Sequence, residues 1–400
     1  MNHDFQELER RIWSACANCD CPEPVTADAK TEIKRRVYAT LRIRPEWRPR
    51  VSMHMVSEHD GGDFLVQKQR FESWPHIYGA SLLYLPKRGP GPWPAMLLNH
   101  GHASQGKFRA AHQSMAQLLA AAGVAVLVPD VMGLGERRAI GHTEAYEPFS
   151  CGTTVCGLIV LEALGHLDYL REQPCFDRNR IGLFGNSGGG QTTMFMCGMA
   201  FDDIALAAPS GFPHSFEYNA RKERPLCPCT IFPGVLGQLE MRHLLGCLAP
   251  KPLLVAAGRG DPMIPRDVVL ALFHRLQDTY RTAGQKDAAE LLAWDGPHTW
   301  ETLECFFGIA NFILRRFGLP ALPEGPLPKP VFPEDEQTLP LPDDAMDMTT
   351  LAERLTGNRR LLAADIVDVF PPRHIPVEDW PQIPRETLAI LAQIDSFVKP

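Results

Sequence analysis

Ser187 stands in the run Gly185-Asn186-Ser187-Gly188-Gly189, a G-x-S-x-G pattern. The apolar segment Arg180 to Phe184 precedes it and reads as a buried strand; Gly190 to Met196 follows and reads as the start of an apolar helix. A serine on a sharp strand-to-helix turn has its hydroxyl thrust clear of the sheet, and flanking glycines let neighbouring backbone approach without Cβ clashes. The first amides of the helix face the same spot and favour a developing negative charge. That is the chemistry of an acyl-transfer nucleophile. The plainer reading is a glycine-rich turn with a serine helix cap, or a phosphate loop, so the chain must also supply a base, an acid and an oxyanion hole.

A serine hydroxyl attacks only when a base takes its proton, and the base needs an acid to orient it. In an open α/β sheet such side chains gather beyond the carboxyl ends of the strands. Asp261 follows the strand Pro252 to Ala257, in the turn Gly258-Arg259-Gly260-Asp261-Pro262. His298 follows the next strand, Leu291 to Trp294, at the end of Asp295-Gly296-Pro297-His298. Taken singly, Asp261 could be a helix cap and His298 a structural histidine. Asp295 is a weaker acid, because its closeness to His298 along the chain makes the geometry awkward. For the oxyanion hole the two expected donors are the backbone amides of Gly188 and His102, the latter in the loop His100-Gly101-His102-Ala103-Ser104-Gln105-Gly106-Lys107. The loop Asp130 to Arg138 should be pinned by its own ion pairs, with a substrate role for Glu136 or Arg137 as the alternative. Residues 209–235 should roof the pocket, with Phe212, Phe216, Tyr218 and Trp300 as candidate substrate walls; core packing explains the same aromatics equally well.

Two cysteine groups, Cys16, Cys19 and Cys21, then Cys227 and Cys229, invite a metal. Zinc wants four ligands, commonly as two facing pairs. Here a single Cys-x-x-Cys occurs without a second pair at such spacing, so small buried side chains are the preferred reading and no metal is expected. His100 and His102 could chelate from one strand, but their oxyanion-loop position assigns them to packing and loop support.

The elements that must position these groups follow a clear rhythm. Val51 to Ser57, Phe64 to Gln69 and Ile77 to Leu85 read as strands separated by turns, an antiparallel lead-in. From residue 94 strands and helices alternate: strands Pro94 to Asn99, Val124 to Pro129, Ile204 to Ala208, Pro252 to Ala257 and Leu291 to Trp294, with helices Phe108 to Ala122, Cys151 to Arg171, Gly237 to Cys247, Arg266 to Ala283 and Trp300 to Phe317 between or after them. Such alternation implies an α/β fold, a mostly parallel central sheet with helices on both faces. The expected organisation is a helical segment over 1–50, a catalytic domain over 51–318, and a proline-rich arm over 319–400. The arm carries helices over Met348 to Val367 and Arg385 to Val398, and packs on the domain or on a second subunit, so a homo-oligomer is compatible with it.

The formal charge of -7 over 400 residues, with no basic stripe, argues against a nucleic-acid partner. The longest apolar run, Leu118 to Val128, is too short to span a bilayer. The start, Met1 to Arg10, is charged and helix-like and lacks a signal-peptide pattern. With eleven cysteines, an odd count in no secreted framework, this leads to the expectation of a cytoplasmic protein.

The segments His100–Gly106, Asp130–Arg137, Gly185–Gly190, Asp261–Pro265 and Gly296–His298 resemble the α/β-hydrolase superfamily, and within it the dienelactone hydrolase and acetyl xylan esterase-like group. Cys227 to Gly234 and Leu248 to Leu254 resemble recurrent features of that group. The resemblance spans about residues 75–317. It implies the α/β-hydrolase fold and cofactor-free hydrolysis of a small-molecule carboxylic ester through an acyl-enzyme. Ser187 stands where dienelactone hydrolases proper carry cysteine, which favours the esterase side. The absence of an export signal speaks against polymeric xylan. A serine peptidase or amidase resembling prolyl oligopeptidases, and a non-catalytic receptor on the same scaffold, are the alternatives.

Overall fold

The computed structural model describes residues 19–142, 145–221, 227–338 and 340–360. Among them, nine strands form one sheet in the order β1-β2-β3-β5-β4-β6-β7-β8-β9. The lead-in is antiparallel: β1 (Ser52–Asp60) pairs with β2 (Phe64–Glu72), β2 with β3 (Tyr78–Pro86), and β3 with β5 (Ala125–Pro129). From β5 onward every pairing is parallel, through β4 (Trp93–Asn99), β6 (Phe176–Asn186), β7 (Leu206–Ser210), β8 (Leu253–Gly258) and β9 (Ala289–Trp294). The reversal of strand order at β5-β4-β6 opens a crevice at the carboxyl ends of these strands, where α/β sheets bind ligands.

Apolar content explains the layers. Along β4 and β5 nearly every residue is buried, as a strand covered on both faces requires. β1 is exposed almost throughout and carries Glu58, His59 and Asp60 with an irregular register between Met55 and Ser57, features that blunt a sheet edge. One face of the sheet is covered by α1 (Ala27–Leu41), α3 (Val155–Glu172), α4 (Gly188–Met199) and α5 (Arg266–Thr282), whose buried residues join one core cluster. The other is covered by α2 (Ala110–Ala121) and α6 (Leu303–Arg316), which build a second cluster with Phe184, Trp294 and Trp300. Helices α3 and α6 begin later than sequence periodicity suggests, because Thr154 and Thr302 cap them by accepting from the amides of Gly157 and Cys305.

The described part of the proline-rich arm, 319–338 and 340–360, packs on its own chain. Its carbonyls at Pro328, Lys329 and Phe332 accept from Ser114, Gln117 and Gln113 of α2. Further along, Glu336 pairs with Lys68, and the amide of Met346 donates to His76 on the β2–β3 turn. Of the two arm helices expected from sequence, the first is α7 (Met348–Thr356), closed by Gly357 in the left-handed region; Arg385 to Val398 lies outside the described residues, as does the amino-terminal stretch before Cys19. No helix among the described residues is long and apolar enough to cross a membrane.

Candidate active site

The turn from β6 into α4 carries Ser187 at φ 58°, ψ -122°, a positive-φ conformation that a side chain enters only at a cost. The amide of Ser187 donates to Ser210 O at 2.9 Å, which holds the turn against β7. Ser187 occupies the helix-cap position, yet its hydroxyl makes no capping hydrogen bond. The plain cap reading therefore fails; Ser187 itself is half-buried. Gly189 explains the tightness: a Cβ there would sit 1.7 Å from Asn99 O.

Asp261 and His298 meet as their strand-end positions predict. His298 Nδ1 donates to Asp261 Oδ2 at 2.7 Å, and the Asp261 side chain is 1% exposed. The second carboxylate oxygen, Oδ1, accepts from the amides of Met263 at 2.7 Å and Ile264 at 3.2 Å, so the loop holds the acid in one orientation. Asp261 thus serves its turn and its histidine together. Asp295, 85% exposed and facing Arg259, takes no part. The far nitrogen, His298 Nε2, is buried and has no hydrogen-bond partner among the described residues. The ring lies against Gly211, next in sequence to the Ser210 that holds Ser187.

The loop after β4 comes up against the Ser187 turn: a Cβ on Gly101 would be 3.2 Å from Gly188 N. Gly188 opens α4, so its N–H has no acceptor within the helix. The ring of His102 also borders Gly188, with Nδ1 3.2 Å from where a Gly188 Cβ would stand. His100 is a loop support, as expected: its Nε2 accepts from Val131 N at 2.9 Å and its Nδ1 faces Gly101 O at 2.8 Å. Beneath it, fully buried Lys107 bonds Asp130 at 2.7 Å and also contacts Glu136. Arg137 is fully buried and pairs with Glu162 at 2.7 and 2.9 Å. Ion pairing therefore pins the loop after β5, and both Glu136 and Arg137 are spent on it.

The four candidate wall residues divide. Phe212 Cβ is near the Gly190 backbone, and Tyr218 donates its hydroxyl to Met263 O at 3.2 Å beside the Asp261 loop, so both border the site. Phe216 and Trp300 do not reach it. Phe216 packs against Phe195 and Phe232, and Trp300 is 1% exposed, stacked on Phe306 and His112 in the core across the sheet. Aromatic type alone could not distinguish a wall from a core ring. The cavity beside Gly188 is lined instead by residues that include His100, His102, Val131, Ile159, His142 and Cys229. A much roomier cleft, of about 540 Å³, lies elsewhere, between Ser104 and Gln105 on one side and Glu334 to Gln337 of the arm on the other.

His142 and the cysteines form a cluster that sequence spacing did not bring together. Ligand-type atoms of His102, His142, Cys227 and Cys229 all lie within 4.8 Å of one another, the last three residues being buried. His102 Nε2 is 3.1 Å from His142 Nε2 and 3.4 Å from Cys229 Sγ. Both cysteines are free thiols. Hydrogen bonding from Cys229, reinforced by the two imidazoles, holds the Cys227 thiol well below its ordinary range, while Cys229 is pushed up.

The order of the strands, the crossing helices and the serine turn between β6 and α4 define the α/β-hydrolase fold. No family model matches the chain. It is similar to "Putative hydrolase YtaP" of Bacillus subtilis (strain 168), at 22% identity over 282 residues, covering 64% of this chain and 90% of that one. Among solved structures it is similar to Methylesterase BT1017, with TM-score 0.64 and 22% identity over 86% of this chain and 78% of the other. It is also similar to the "putative acetyl xylan esterase (BF1801)" of Bacteroides fragilis NCTC 9343, with TM-score 0.58 and 14% identity over 74% and 83%. A glucuronoyl esterase from Solibacter usitatus aligns with TM-score 0.55 and 15% identity over 74% and 94%.

Proposed function

We propose that this chain is a serine carboxylic-ester hydrolase acting through an acyl-enzyme on a small or medium ester, such as an acetyl ester. One observation carries the reading: the Asp261–His298 pair, whose outer nitrogen Nε2 is buried with no hydrogen-bond partner among the described residues, its ring against Gly211 next to the Ser210 that holds the positive-φ Ser187 turn. In the reaction His298 Nε2 takes the Ser187 proton as the hydroxyl oxygen bonds to the ester carbonyl carbon. Asp261 keeps the other ring proton on Nδ1 and steadies the imidazolium. The carbonyl oxygen becomes an oxyanion, and the amides of Gly188 and His102 donate to it. The alcohol then leaves with the proton from His298. Water, deprotonated by the same nitrogen, attacks the acyl-enzyme, and His298 returns that proton to the departing Ser187 oxygen as the acid is released.

The names of the structural relatives, a methylesterase, an acetyl xylan esterase and a glucuronoyl esterase, support ester over amide chemistry. We place the catalytic machinery within residues 51–318 and the protein in the cytoplasm as part of the same proposal. Replacing Ser187 with Ala should lower kcat on p-nitrophenyl acetate by about four orders of magnitude or more with the fold intact. Activity near that of the wild type would overturn the reading. Faster turnover of an aminoacyl p-nitroanilide would favour a peptidase, and failure to label with a fluorophosphonate would favour a receptor.

A further inference from the structure

We infer that His102, His142, Cys227 and Cys229 form a tetrahedral binding site for a divalent metal ion of the zinc class. The donor set is two imidazole nitrogens and two thiol sulfurs, the combination that suits zinc over the hard oxygen-seeking cations. Two of the spacings match closely, and all four ligand atoms lie within 4.8 Å of one another. Ligand bonds of 2.0–2.3 Å at tetrahedral angles require about 3.3 Å between two nitrogens and about 3.5 Å between a nitrogen and a sulfur. The structure has 3.1 Å between the two histidine nitrogens and 3.4 Å between His102 Nε2 and Cys229 Sγ.

The protonation pattern points the same way. His142 Nδ1 lies 2.8 Å from Met132 O and donates its hydrogen there. That leaves Nε2 with a lone pair facing the cluster, the outer-shell arrangement that metal-ligating histidines use. His102 Nε2 faces the same point. The His142 lone pair, His102 Nε2 and two sulfurs converge on one volume, where a proton or a cation must lie between them. A metal ion satisfies all four at once, and each thiol bound as thiolate releases its proton to solvent.

Four protein ligands make a closed site, so the ion would hold structure rather than activate water. It would tie together three segments far apart in sequence: the loop after β4 through His102, the loop after β5 through His142, and the roof through Cys227 and Cys229. These are the walls of the cavity beside Gly188. A metal on His102 Nε2 also confines the ring proton to Nδ1, the nitrogen facing Gly188. This last consequence, a fixed donor beside the oxyanion position, rests on the proposed acyl transfer; the metal site does not.

The test uses the full chain. Protein produced in zinc-supplemented medium should carry about one zinc per chain by elemental analysis. After chelation, cobalt(II) should restore one equivalent, with thiolate charge-transfer bands and the intense visible bands of tetrahedral cobalt. Cys227→Ser with Cys229→Ser should lose both signals, while Cys156→Ser, at a buried neighbouring cysteine, keeps them. Ser187→Ala should bind metal as the wild type does. Metal substantially below stoichiometry together with no cobalt bands in the wild-type chain would overturn the site, as would full metal retention in the double serine variant. Normal metal content with no esterase activity would leave the site standing and remove the ester reading alone.

Discussion

At the scale of single residues, the site rests on placements that cost stability. Ser187 at φ 58° accepts a conformation that glycine adopts freely, and such strain is worth roughly 1–3 kcal/mol. Ser187→Gly should therefore raise the free energy of unfolding by about 1 kcal/mol in urea titration while abolishing hydrolysis. A loss of stability would mean that the turn is not strained. Asp261 shows the opposite economy, since the two loop amides that fix its Oδ1 also aim its Oδ2 at His298. The sequence made this residue legible by its position after a strand and before a proline-bounded helix start. It could not choose between helix cap and acid; in the structure the helix cap falls at Pro265, and the carboxylate bonds its own turn and His298.

At the scale of elements, the loops that carry chemistry are tied down by buried ion pairs. Arg137, on the loop after β5, pairs with Glu162 of α3, which also accepts from Ser73 at 2.6 Å. Burial would push the Glu162 carboxyl up, but the adjacent guanidinium and these hydrogen bonds outweigh it, so the group lies below the ordinary carboxylate range. The unfolded chain therefore takes up the proton first on acidification. The stabilisation is complete above the unfolded value of about 4.3 and is lost as pH falls below it toward the folded value. Glu162→Gln should cost about 3–5 kcal/mol near neutrality, because the Arg137 charge stays buried without its counter-ion. Its stability should also fall less steeply than that of the wild type between pH 5 and about 3. Denaturant unfolding across that pH range would check both, and an unchanged slope would count against the pair. Ion pairing in this loop was legible from the mixed charges at 130–138; the partner on α3 was not, since nothing local links residues 137 and 162.

At the scale of the whole molecule, the described part of the proline-rich arm, 319–338 and 340–360, packs on the surface of the domain. Gln113 is its clamp: Nε2 donates to Phe332 O at 2.8 Å and Oε1 accepts from Phe332 N at 3.0 Å. Phe332 in turn lies under Lys68, whose ammonium is 4.3 Å from the ring centroid. Gln113→Leu keeps the volume but leaves the Phe332 amide and carbonyl unpaired, and should destabilise by about 2 kcal/mol. Limited proteolysis should then cut first within 319–345, and cleavage that begins elsewhere would argue against this anchor. The sequence left open whether the arm covers its own domain or a second subunit. Residues 319–338 and 340–360 lie on their own chain, where buried polar groups on α2 need acceptors and an extended segment short of donors offers its carbonyls.

What the sequence determined by itself was local: alternating strands and helices, strand ends, and the serine turn, because period, glycine and proline act over a few residues. The same locality singled out Ser187, Asp261 and His298, each lying just beyond a strand, and the neighbouring parallel strands bring Asp261 and His298 together. Only the tertiary structure decided which rings face the cavity, sending Phe216 and Trp300 into the two cores. It alone brought His102 and His142 against Cys227 and Cys229. Those contacts span loops up to 127 residues apart, and strand order, which no local pattern encodes, sets which loops meet.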